Sequence, residues 1–134
     1  MKTIIFIAII AALLISSALT FRIKTNDPWV VPDKYLKMAN PVKPDKESLD
    51  VGKQVWAKHC QSCHGKSGKG DGPKAAQLKT TPEDLGKADV QKQPDGAFFY
   101  KTSEGRKDMP SFKKKLPDQE EIWAVVNYLK TFKK

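Results

Sequence analysis

Apolar residues are spread unevenly along the chain. Residues 4–19 are apolar except for Ser16 and Ser17, although the whole chain has a mean hydropathy of −0.51. Residues 22–44 lose that density: Pro28, Pro32, Pro41 and Pro44 interrupt any long helix, and the segment reads as an extended linker. From Asp45 onward the spacing turns helical. Leu49, Gly52, Val55, Trp56, Cys60 and Cys63 recur at helical intervals, with Ser48 available as a cap and Asp50 in the first turn. A second helix is predicted over 118–132, with Ile122, Val125, Val126 and Leu129 as its stripe, acids at its start and lysines at its end. A shorter helix over 95–103 would bury Phe98, Phe99 and Tyr100 and stop at Gly105. No alternating run suggests a sheet. The expected class is all-α.

The N-terminal segment admits two readings. Lys2, an apolar stretch and Ser16-Ser17-Ala18 make an export signal with a small-residue cleavage site. Alternatively, residues 4–21 form a retained anchor, since 18 residues are just long enough to span a bilayer. Both readings put the remainder outside the cytoplasm, on the periplasmic side. The expected organisation is therefore a signal or anchor over 1–21, a Pro-rich linker over 22–44 and one domain over 45–134. Trp29, Val30, Val31, Tyr35, Leu36 and Met38 are too apolar for a free tether, so part of the linker is expected to lie on the domain.

Composition narrows the chemistry. At 134 residues the chain holds one compact domain, and 40% hydrophobic residues suffice for a core. Its two cysteines, Cys60 and Cys63, and two histidines, His59 and His64, fall within six positions. A disulfide framework needs more cysteine, and a catalytic site elsewhere has no histidine to use.

Cys60-Gln61-Ser62-Cys63-His64 is the informative string. Cysteines at i and i+3 on a helix end share a face, and the histidine after the second points at whatever that face holds. This is the attachment pattern of c-type haem: two thioethers and a proximal histidine on iron. A structural zinc would need two more ligands, a thioredoxin-like pair would sit in a βαβ unit, and a Cys60–Cys63 disulfide would strain a helical turn.

From Gly52 to Lys130 the sequence resembles the class I c-type cytochromes, small electron carriers of respiratory chains. Gly52 and Trp56 match the small-plus-aromatic pair of that family's first helix, and Val125 and Tyr128 match residues of the last helix that cross it. The resemblance implies a small helical domain wrapped around one covalently attached haem c. It also implies that a proline carbonyl in the glycine-rich loop after His64 accepts that histidine's ring N–H, with Pro73 as the candidate. Met109, in Gly105-Arg106-Lys107-Asp108-Met109-Pro110, resembles the family's methionine loop and is the expected distal iron ligand. Its plain structural alternative is a core methionine filling a gap; Met38 is a weaker candidate. His59, beside Cys60, cannot reach the opposite face.

His/Met ligation leaves no open site and a ligand set unchanged by redox state, which suits an electron carrier rather than an enzyme. A cytochrome subunit of a membrane oxidoreductase complex or dehydrogenase is the alternative; a peroxidase or a gas sensor fits less well. The net charge is +9. Lys101, Arg106, Lys107, Lys113, Lys114 and Lys115 flank the methionine loop, and Lys58, Lys66 and Lys69 flank the attachment motif. They are expected to steer acidic redox partners such as a terminal oxidase, a quinol-oxidising complex or a dehydrogenase. The bland reading is a solvated lysine-rich surface, and nucleic-acid binding does not fit an exported haem protein.

Overall fold

The computed structural model describes residues 28–134, so the apolar segment 4–21 lies outside the described residues. Six α-helices are found among them: α1 (Asp33–Leu36), α2 (Lys46–Val55), α3 (Gln61–His64), α4 (Ala88–Gln91), α5 (Asp95–Glu104) and α6 (Gln119–Lys130). A π-helical segment, Trp56–Cys60, joins α2 to α3, and a 3-10 turn covers Ala75–Gln77. There is no β-strand among the described residues, only an isolated bridge between Arg106 and Met109. None of the described helices is long and apolar enough to cross a membrane.

Helix α6 runs through the centre of the core. Asp118 caps it by accepting from the Glu120 N–H at 2.8 Å, and Glu120 and Glu121 lie where the helix dipole favours anions. Its residues Ile122 to Asn127 and Leu129 are all buried, so α6 is covered on most of its surface. Helix α2 crosses it at Gly52, where a Cβ would collide with the Ala124 carbonyl and come within 2.9 Å of the Tyr128 Cβ. Glycine permits this approach because it has no side chain. Tyr128 is thus at the crossing as expected, but the backbone that Gly52 touches belongs to Ala124, not Val125.

Sequence reasoning placed the α2 cap one turn too late. Asp45 is the cap, accepting from the Ser48 N–H at 3.0 Å. Ser48 lies inside the helix and sends its hydroxyl back to the Lys43 carbonyl at 2.6 Å.

Helix α5 buries Ala97, Phe98, Phe99, Thr102 and Ser103 and ends at Gly105, whose φ of +66° breaks the helix. Phe99 stacks on Trp123 of α6 with ring centroids 4.2 Å apart. The described part of the linker lies on α5 and α6. Its four proline-free residues after Pro32 form α1, one turn that the proline count alone did not suggest. Tyr35 of α1 meets Tyr100 at 4.7 Å. Buried Asn127 of α6 then pins the linker: its Nδ2 donates to the Val42 carbonyl at 3.0 Å, and its Oδ1 accepts from Asn40 at 2.8 Å.

Candidate functional site

Cys60, Cys63 and His64 all face one cavity of about 450 Å³, within the size range of cofactor sites. The π-helical segment explains how they reach it. Its wider turn ends at Cys60, so the two cysteines flank the junction between π and α geometry rather than one regular helix. After His64 the chain reverses at Gly65, whose φ of +82° is costly for other residues. The returning loop then satisfies every carbonyl of α3. Gly65 donates to Gln61 at 2.9 Å, Lys74 to Ser62 at 2.9 Å, Gly72 to Cys63 at 3.2 Å and Gly70 to His64 at 2.8 Å.

The electrostatics suit a neutral ligand set. Burial holds the His64 imidazole below its ordinary pKa, leaving it in the neutral form that metal ligation requires. Burial, helped by the nearby Cys63 sulfur, pushes the Cys60 thiol up to about 12, so it is a protonated thiol. Both cysteines are free. His64 Nδ1 is buried with no hydrogen-bond partner among the described residues. The bond to the Pro73 carbonyl is therefore not formed here, although the loop carrying Pro73 is fastened to α3 on either side of it. Trp56 walls the same end, its ring 5.8 Å from that of His64.

The opposite wall is made of loops. Met109 lines the cavity together with Leu78 and Thr80 to Glu83. Residues 106–109 form a closed turn in which the Arg106 N–H donates to the Met109 carbonyl at 2.8 Å and the Met109 N–H returns to Arg106 at 2.9 Å. Lys107 at this turn has a φ of +54°, an uncommon conformation for a residue with a side chain. Val90, Phe98, Val125 and Leu129 supply an apolar lining. A flat apolar macrocycle fits these walls: two thiols on one edge, a half-buried neutral imidazole with an unpaired ring nitrogen, and a thioether from a loop.

The structure thus brings Cys60, Cys63, His64 and Met109 to one cavity and keeps Pro73 on its outer side, exposed. Met38 is 37% exposed and packs at Gly96, away from the cavity lining. His59 does line it, half-buried, with Phe112 edge-on at 6.0 Å. Sequence reasoning missed Pro28 and Trp29, which come from the linker to close the cavity. The Trp29 ring has the Lys101 ammonium and the Arg106 guanidinium each 5.7 Å from its centroid. An aromatic residue in a proline-rich tether was the available signal. Lys101 donates to Gln93 at 2.6 Å, and its burial lowers its pKa.

A helical domain carrying Cys-x-x-Cys-His on the wall of an apolar cavity defines a c-type cytochrome. Residues 47–129, more than half of the chain, match the family model described as cytochrome c oxidase, cbb3-type, subunit III, and the chain belongs to this family of c-type cytochrome domains. Such domains carry electrons on covalently bound haem rather than catalyse a reaction of their own. Solved structures similar to it include these two. One is the Kuenenia stuttgartiensis reducing HAO-like protein complex Kustc0457/Kustc0458, with TM-score 0.62 and 24% identity over 80% of this chain. This chain spans only 50% of that one. The other is the KustC0563 c-type cytochrome, with TM-score 0.55 and 30% identity, covering 62% of this chain and 98% of that one. None of the curated proteins matches it.

Proposed function

We propose that this chain is a monohaem electron carrier of the periplasmic side, with Cys60 and Cys63 as thioether attachments, His64 as proximal ligand and Met109 as distal ligand. The observation that carries this reading is that all four side chains line one cavity. Haem bound there supplies a one-electron couple, and a thioether ligand favours its reduced form.

The chain's own residues do the rest. Trp56, Phe98, Val125 and Leu129 exclude water from the cavity and keep its dielectric low. The loop that satisfies the α3 carbonyls fixes the direction of the His64 side chain. Pro73, in that loop, is the proposed acceptor for Nδ1, a bond that would orient the ring and raise its basicity.

Lys101, Arg106 and Lys107 line the cavity beside Met109 and would draw an acidic redox partner to it. Lys113 contributes less, because it is ion-paired with Glu104. Electron-transfer rates with an acidic partner should fall as salt is added; a salt-independent rate removes the steering claim.

The test of the ligand set is spectroscopic. A pyridine haemochrome assay should report one c-type haem per chain. The ferric protein should show a methionine–iron charge-transfer band that Met109→Ala abolishes. A band that survives the substitution rejects Met109.

A second reading, a cytochrome subunit of a membrane oxidoreductase complex, is favoured by one observation. Val30, Leu36 and Met38 are exposed apolar residues on the linker, Val30 at 76%. Native electrophoresis of solubilised membranes decides between them: a free carrier migrates at its own size, a subunit with its complex.

A further inference from the structure

A carboxylate joins two loops of the cavity's distal wall. Asp108, the residue before Met109, reaches across to the facing loop and accepts from Thr80 twice: from its backbone N–H at 2.9 Å and from its hydroxyl at 3.0 Å. Thr80 and Asp108 both line the cavity.

Asp108 is also part of the closed Arg106–Met109 turn, so a force on its carboxylate is transmitted directly to the Met109 backbone. Gly105, with φ of +66°, is the joint on which this turn leaves α5. On the far side Ser111 Oγ donates to the Ser103 carbonyl at 2.7 Å, and Phe112 N–H donates to Ser103 at 3.1 Å. The turn is therefore hinged at both ends on α5. Toward the facing loop, Asp108 ties it to Thr80.

We propose that the Thr80–Asp108 clasp is a positioning device for Met109: it holds the methionine loop closed and so keeps the thioether on the distal side of the cofactor. The proposal rests on the Met109 reading above. Thr80 and Asp108 are positioning residues that act through the loop and do not themselves bind iron.

A closed loop competes with any added distal ligand. The apparent affinity of such a ligand is its intrinsic affinity scaled by the fraction of molecules whose loop is open. Two hydrogen bonds to one partly exposed carboxylate are enough to change that fraction by about tenfold, equivalent to ~1.4 kcal/mol.

The experiment titrates imidazole into the ferric holoprotein and follows the methionine–iron band. Asp108→Ala should tighten imidazole binding by about tenfold and Thr80→Val by about threefold, since the latter keeps the backbone N–H donor. Asp108→Asn retains an acceptor oxygen and should restore most of the wild-type affinity. A purely structural role would lower the melting temperature without this pattern of imidazole affinities. Unchanged imidazole affinity in both Asp108→Ala and Thr80→Val overturns the clasp while leaving Met109 as ligand. A band that survives Met109→Ala overturns the ligand reading and the clasp with it. If Asp108→Ala does not yield holoprotein, Thr80→Val against Thr80→Ser carries the same test, with Ser expected at wild-type affinity and Val at wild-type affinity counting against the clasp.

Discussion

On the attachment side of the cavity, four backbone hydrogen bonds tie residues 65–74 to α3, and Trp56, 3% exposed, backs the imidazole of His64. On the distal side, residues 79–83 and 106–110 meet through the carboxylate of Asp108, and Trp29, half-buried, closes the mouth between two cations. One wall is built from helix and buried backbone, the other from loops joined at partly exposed groups. The contrast fits the proposed chemistry. Covalent attachment needs a fixed thiol pair and imidazole, whereas a distal thioether needs only to stay close enough to bind. Local stability should therefore be high on the first side and low on the second.

The two walls can be compared through the tryptophan each contains. Trp56→Ala should cost about 4 kcal/mol, the usual loss for deleting a buried aromatic side chain. Its ring packs on Phe132 at 5.0 Å and Tyr128 at 6.2 Å as well as on His64. Thermal unfolding of the holoprotein checks this, at roughly 4–8 °C for each kcal/mol in a domain of this size. Trp56→Phe sharpens the point. A phenyl ring keeps part of the packing against Phe132 and Tyr128. That variant should lose less than half as much, and equal losses would mean that the ring's packing is not what matters.

Next in size is Gly52→Ala. The added Cβ collides with the Ala124 carbonyl, so α2 and α6 must separate, at a cost of about 2–3 kcal/mol. Because α2 leads through the π-helical segment to Cys60, covalent haem incorporation, read by mass spectrometry, should fall together with the melting temperature. Asn127→Ala should cost about 2 kcal/mol, since it leaves the Val42 and Lys43 carbonyls and the Ser48 hydroxyl without its amide. It acts on the linker, so limited proteolysis should cut first between Val30 and Val42. Cleavage elsewhere first would show that Asn127 does not fasten this segment.

Much of the attachment wall was legible in the sequence because its information is local. Cys60, Cys63 and His64 are read from five consecutive residues, α5 from its three adjacent aromatics and Gly105, and α6 from its stripe and charged ends. The crossing at Gly52 was legible through resemblance, though its backbone partner was shifted by one residue to Ala124. The π-helical segment was not legible: Trp-Ala-Lys-His-Cys has no propensity that separates a π turn from an α turn, and packing decides between them. The distal wall is written across distance. Thr80 and Asp108 are 28 positions apart, and a hydrogen bond between a hydroxyl and a carboxylate in two loops has no periodic signature. Trp29 is separated from its cations by more than seventy residues, and only its apolar character in the linker hinted that it was not a free tether.

Trp29→Ala should have the smallest effect on stability and therefore separates the two walls most cleanly. Two cation–π contacts at partly exposed groups are worth about 1 kcal/mol together, so the melting temperature should fall by only a few degrees. The cavity mouth is another matter. Trp29 and Pro28 line it directly, and loss of the indole exposes Lys101 and Arg106 on that side to water. Imidazole should then associate with the ferric holoprotein faster, while Met109 and the Asp108 clasp remain to set its final affinity. The expected signature is a raised association rate, an equilibrium affinity within about twofold of wild type, and nearly unchanged melting. If affinity rises as much as in Asp108→Ala, Trp29 holds the methionine loop rather than covering the mouth. If the stability loss approaches that of Trp56→Ala, the distal wall is as rigid as the attachment wall and the contrast between them fails.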